Sequence, residues 1–93
     1  MIQFLMINHG DAPRAEWDQY LAMLRDHQHL IGESAVGPGV SADHSLISKA
    51  ATPTITGYLL IQAKTQEKAQ EIMTLCPVHK HGGTVEIFPL IES

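Results

Sequence analysis

Hydrophobic positions along this chain change period several times, and those changes divide it into six elements. Residues 2–8 (IQFLMIN) are a continuous apolar run bounded by His9-Gly10-Asp11, the pattern of a strand covered on both faces. The spacing then lengthens: Trp17, Tyr20, Leu21, Leu24 and Ile31 share one face of a helix predicted over 14–31. Gln28 falls within that face and His27 at its edge. Asp11 can accept backbone N–H groups and Pro13 is tolerated in a first turn, so the two open the helix, and Gly32 ends it. Residues 33–40 (ESAVGPGV) read as a strand ending in a glycine-rich kink. Gly37 and Gly39 leave room for a close approach to the backbone there, and Pro38 puts the segment at a sheet edge or bulge. Residues 41–54 are polar and turn-rich, with 45–48 (SLIS) contributing a short strand at most. Residues 56–63 (TGYLLIQA) form the next strand. Thr65 caps a helix with Ala69, Ile72, Met73 and Cys76 in one apolar stripe. Pro77 stops it, 79–83 turn the chain, and 84–91 (TVEIFPLI) form the last strand.

The order β-α-β-β-α-β predicts an α+β protein of the ferredoxin-like kind, with a four-stranded antiparallel sheet and two helices on one face, in a single domain over 1–93. The strands add a second expectation. Leu59, Ile61 and Ala63 point one way and Tyr58 and Leu60 the other; likewise Ile2, Phe4 and Met6 oppose Leu5 and Ile7. Two helices cover one face only. The other face would expose on the order of several hundred Å² of apolar surface, the upper end of what monomers tolerate. A homodimer through the open sheet face is therefore expected.

Composition narrows the function. With 93 residues, 44% hydrophobic and 17% charged, the chain is ordinary for a small soluble domain. A formal charge of −4, with six Lys and Arg scattered between Arg14 and Lys80, gives no electrostatic support for nucleic acid or an anionic membrane. The opening MIQFLMI is too short for a signal core or a spanning helix. With one cysteine, no internal disulfide can form, and a cytoplasmic protein with a reduced thiol is expected.

Several motifs then occur in a recognisable order: Gly57-Tyr58 opening a strand, Glu67-Lys68-Ala69 in the next helix, Pro77 closing it, and Gly82-Gly83-Thr84-Val85-Glu86-Ile87 with Pro89. With the opening strand and helix and the Gly-Pro-Gly at 37–39, they cover nearly the whole chain. In this respect the chain resembles the YCII-related proteins, including their DGPF-domain branch. The resemblance implies a dimeric α/β barrel, in which two ferredoxin-like sheets pack face to face. Relatives on this fold include isomerases, dehalogenating enzymes and cofactor-free oxygenases acting on small ring compounds, a breadth that carries no single reaction over. The family's proposed site pairs a histidine early in the first helix with an aspartate shortly after Gly-Pro. Here the histidine position falls near Tyr20 and the carboxylate position on Asp43. The DGPF tetrapeptide is replaced by Ser48-Lys49-Ala50-Ala51-Thr52-Pro53.

Candidate chemistry is limited. On a continuous helix His27 and His29 would point about 200° apart and could not share one ion. Cys76, His79 and His81 have the spacing C-x2-H-x-H, three ligands in principle. The thiol, however, falls on an apolar stripe, the rest has the composition of a turn, and no fourth ligand is at hand. No metal site is expected. His9 with Asp11 stands where a strand gives way to a helix: a general base with its tautomer fixed, or an exposed imidazole beside a helix cap. Asp43 is the second catalytic candidate, by family position. Trp17, Tyr20, His27, Gln28 and Tyr58 are the candidate pocket residues, aromatic walls with polar tips and a polar pair on a packed face. Two functions follow. One is a small-molecule enzyme or ligand-binding protein of the YCII-related type, which if catalytic does cofactor-free acid/base work on a small compound, a ring by the family's example. The other is a non-catalytic dimeric module that binds a metabolite or a protein partner and regulates something else.

Overall fold

The computed structural model describes residues 1–42, 49–50 (backbone alone) and 55–91. In chain order its elements are β1 (Ile2–His9), α1 (Arg14–Asp26), β2 (Leu30–Ala35), β3 (Val40–Ser41), β4 (Lys49–Ala50), β5 (Gly57–Ala63), α2 (Gln66–Thr74), α3 (Pro77–Lys80) and β6 (Thr84–Pro89). Four strands make one antiparallel sheet in the order β2-β5-β1-β6, while β3 and β4 pair as a separate two-residue ribbon. This α+β arrangement, a four-stranded antiparallel sheet with three helices, is compatible with a ferredoxin-like fold.

Alternation explains what each face of the sheet does. Phe4, Met6 and Asn8 on β1, with Leu59, Ile61 and Ala63 on β5, point toward the helices and are buried. Tyr20 and Leu24 of α1, Ala69 and Ile72 of α2, and Cys76 and Val78 complete one core cluster with them. Turned the other way are Leu5, Ile7, Tyr58 and Leu60, paired in register as Leu5↔Leu60 and Ile7↔Tyr58 and joined at β6 by Phe88 opposite Leu5. These are half-buried, and Phe88 is 46% exposed. The sheet's edges are irregular: the register of β2 on β5 shifts between Leu30 and Gly32, and β6 ends at Pro89.

Three local expectations give way. Helix α1 stops at Asp26, five residues short of Ile31, so Gly32 is not its terminator. Gln28 takes φ 60°, His29 N–H bonds Leu24 O at 2.7 Å and Gln28 N–H bonds Arg25 O at 3.0 Å, the Schellman pattern of a helix end. A non-glycine residue in that conformation costs about 1–2 kcal/mol. Strand pairing offsets it: Gln62 N–H bonds His29 O, and Leu30 pairs with Ile61 at once. Second, the N-cap of α1 is Pro13, with no side-chain cap, so Asp11 does not close the helix end. Third, Pro77 begins a short helical turn as well as ending the previous helix, and Cys76 caps that turn instead of closing the stripe of α2. Thr65 does cap α2, accepting from Lys68 N–H at 3.1 Å. A Cβ at Gly37 would meet nothing within 4 Å, so no described neighbour crowds that kink. The short strand expected over 45–48 lies outside the described residues.

Candidate functional site

Where β1 ends the chain must leave the sheet, cross over and start α1, and that crossing leaves a space. The loop after β1, the first turns of α1, the end of β2 and the start of β5 enclose a cavity of about 560 Å³, within the usual size of a small-molecule site. Trp17 and Leu21, four residues apart on α1, line it from one side. From the sheet come Gly57 and Leu59 of β5 and Asn8, the last inward-facing residue of β1. Asp11, Arg14 and Glu33 also line it and are exposed, so its charges sit toward solvent.

The loop that shapes this space is held by one hydroxyl. Thr56 Oγ1 accepts from Gly10 N–H at 3.2 Å and donates toward Gly10 O at 2.7 Å and Asn8 O at 3.2 Å. Its own N–H bonds Asn8 O at 2.9 Å. On the far side of the loop Gly10 and Gly83 approach so closely that a Cβ on Gly10 would lie 3.4 Å from Gly83 Cα.

Asn8 is the buried polar residue of the cavity, 2% exposed. The Cys76 thiol approaches its Oδ1 at 3.7 Å. Burial pushes the Cys76 thiol pKa up, against smaller opposing contributions from the Val78 and His79 amides, so it remains a protonated donor.

Of the residues singled out in the sequence, Trp17 and Tyr58 both border the cavity. The alternation of β5 turns the Tyr58 side chain toward the open face, opposite Ile7, which leaves Trp17 as the aromatic wall. Tyr20 lies elsewhere, in the core, its hydroxyl donating to Ile72 O at 2.7 Å and its ring edge-on to Trp17 at 6.0 Å. Burial, and secondarily Cys76, hold that phenol protonated far above its ordinary range. His27 and Gln28 are exposed at the C-terminal end of α1 and do not line the cavity. Because the helix ends before them, the His27 and His29 rings do not diverge but stack, 6.3 Å apart and 7° from parallel, each Nδ1 on a backbone carbonyl. His9 points to the open face, where its Nε2 meets Glu86 Oε1 at 2.5 Å. Asp43 lies outside the described residues. Cys76 is sealed in the core, whereas His79 and His81 are exposed and His81 bonds Glu16 at 2.7 Å. Among the described residues no group of three or more His, Cys, Asp or Glu is placed to hold a metal ion.

Sequence reasoning missed Asn8, Arg14 and Glu33. For Asn8 a signal existed: it follows Phe4 and Met6 at intervals of two, which puts an amide in the buried register of a central strand. Arg14 and Glu33 carry no such signal, since only the crossing of α1 over β2 and β5 brings them together. Among the described residues no helix is long and apolar enough to cross a membrane. No protein-family model matches the chain, and no curated protein matches it.

Proposed function

We propose that this chain is a YCII-like protein that works as a face-to-face dimer and binds a small ring compound in the cavity beneath α1. The observation that carries the reading is the cavity's make-up: an indole beside a buried carboxamide, with carboxylates and a guanidinium toward solvent. Such a mixture of apolar wall and few convergent polar groups is what a small-molecule site requires. Acid/base chemistry without an organic cofactor fits it, with Asp11 or Glu33 taking or returning a proton and Arg14 steadying charge at the entrance. Asp43 stays the family-position candidate beside them.

One observation favours the non-catalytic reading. No histidine is among the described residues lining the cavity, and the position matching the family's helix histidine falls near Tyr20, whose hydroxyl is committed to Ile72. The dimer reading is supported by the open face of Leu5, Ile7, Leu60 and Phe88, whose apolar side chains have none of the described helices over them.

Trp17 is the sole tryptophan, so its fluorescence reports on the cavity directly. Titration with a panel of small ring compounds is expected to find saturable binders, and Asp11→Asn or Glu33→Gln to abolish turnover of any that react while leaving binding intact. Binding without turnover that any carboxylate variant alters selects the regulatory module. If no compound moves the Trp17 signal, the cavity is not a ligand site.

A further inference from the structure

Asn8 has donors to spare. Only its Oδ1, toward Cys76, and its backbone are engaged; its Nδ2 makes no hydrogen bond to a described residue. No fully enclosed side-chain nitrogen or oxygen among the described residues lacks a partner, so this nitrogen opens into the cavity that Asn8 lines. The amide oxygen faces the Cys76 thiol, which leaves Nδ2 on the cavity side. Gly57 keeps the approach clear: a Cβ there would lie 3.9 Å from Nδ2 and only 3.0 Å from Ser34 O. A nearly buried N–H pair without an acceptor is a cost that an incoming acceptor removes.

The charge around it decides which acceptor. The guanidinium of Arg14 is exposed and shares the cavity with two carboxylates, Asp11 and Glu33, so among the described residues no cation at the depth of Asn8 compensates an anion. Burying a carboxylate against one amide costs more than burying a neutral carbonyl. Building on the reading of the cavity as a ligand site, we infer that Asn8 recognises the carbonyl oxygen of a neutral, planar ring compound whose ring lies beside Trp17.

The test uses 15N-labelled full-length protein and three probes: coumarin, a neutral lactone; indene, a similar bicycle without a carbonyl; and benzoate, an anion. Coumarin is expected to shift the Asn8 side-chain NH2 pair and the Trp17 indole N–H together and saturably. Indene is expected to shift Trp17 alone, and benzoate to bind more weakly than coumarin. Asn8→Ala should weaken coumarin about 2- to 12-fold, the worth of one neutral hydrogen bond, and leave indene unchanged. The wild-type spectra decide the matter even where Asn8→Ala fails to fold. If coumarin moves Trp17 but not Asn8, the inference falls and the cavity reading stands. Tighter binding of benzoate than of coumarin overturns the choice of a neutral acceptor. If no probe moves Trp17, the cavity reading and the inference fall together.

Discussion

A methyl group added at Gly83 would press directly on the junction that holds the cavity's loop. Its Cβ would lie 2.6 Å from Val78 Cγ1, 2.9 Å from His9 O and 3.1 Å from Val78 O. None of the three yields easily. Val78 is fully buried, its carbonyl already accepts the Gly83 N–H at 2.9 Å, and His9 O belongs to the end of β1. Overpacking typically costs about 1–3 kcal/mol. With two of the three contacts on backbone, Gly83→Ala should fall in the upper part of that range, about 2–3 kcal/mol. For a domain of this size that lowers the melting temperature by roughly 10–20 °C.

Urea unfolding followed by Trp17 fluorescence, at one protein concentration because of the proposed dimer, measures the loss. Two further glycines separate its causes. Gly37→Ala adds a Cβ in open space and should change stability by less than about 0.5 kcal/mol. Gly82→Ala also meets nothing within 4 Å but has φ +84°, so it isolates a backbone cost of about 1–2 kcal/mol. If Gly83→Ala unfolds within about 0.5 kcal/mol of Gly37→Ala, the junction is not tight and the reasoning is wrong.

Two other outcomes can be checked. The thiol of Cys76 and the phenol of Tyr20 both have folded pKa values raised mainly by burial, so their contribution is complete below the unfolded values, about 8.5 and 10, and is lost as pH rises above them. Unfolding free energy should then fall with pH by up to about 1.4 kcal/mol per unit for each group, and the double variant Cys76→Ala/Tyr20→Phe should show a shallower slope between pH 9 and 11; equal slopes would contradict the assignment. Leu60→Asp puts a charge at the middle of the open sheet face, opposite Leu5. Light scattering should find the wild type dimeric and this variant monomeric, and a variant that stays dimeric refutes pairing through that face.

The strands were legible because alternation is a short-range property. Phe4 and Met6 against Leu5 and Ile7 needed only the sequence to be placed on opposite faces, and the register on β5 agrees. The end of α1 was not legible. Leu30 and Ile31 continue a helical spacing on paper, but Leu30 already pairs with Ile61 of β5, some thirty residues away, and Ile31 falls in the register shift that follows. That error also misplaced His27, Gln28 and His29, which stand at the far end of the helix from the cavity. Trp17 lines the cavity as an aromatic on the inner face of the first helix, where its spacing placed it. Tyr20, on the same face one turn later, was absorbed by the core because Ile72 offers its hydroxyl a carbonyl. Whether a ring on such a face lines a space or fills one depends on what crosses above it, which spacing along one helix does not record.

The irregular borders of the sheet bear on how many copies can assemble. Both outermost strands are poor templates for a further strand: β2 carries the register shift at Leu30 and Gly32, and β6 ends in a proline that lacks an N–H. Growth by edge addition is open-ended, each new chain offering its own unpaired strand to the next. Stacking of two identical faces uses up both surfaces in a single event. The proposed assembly, following the apolar face and refused at the borders, would therefore close at two chains: the apolar residues make one side of the sheet sticky, while the shifted register and the proline keep it from building a fibre.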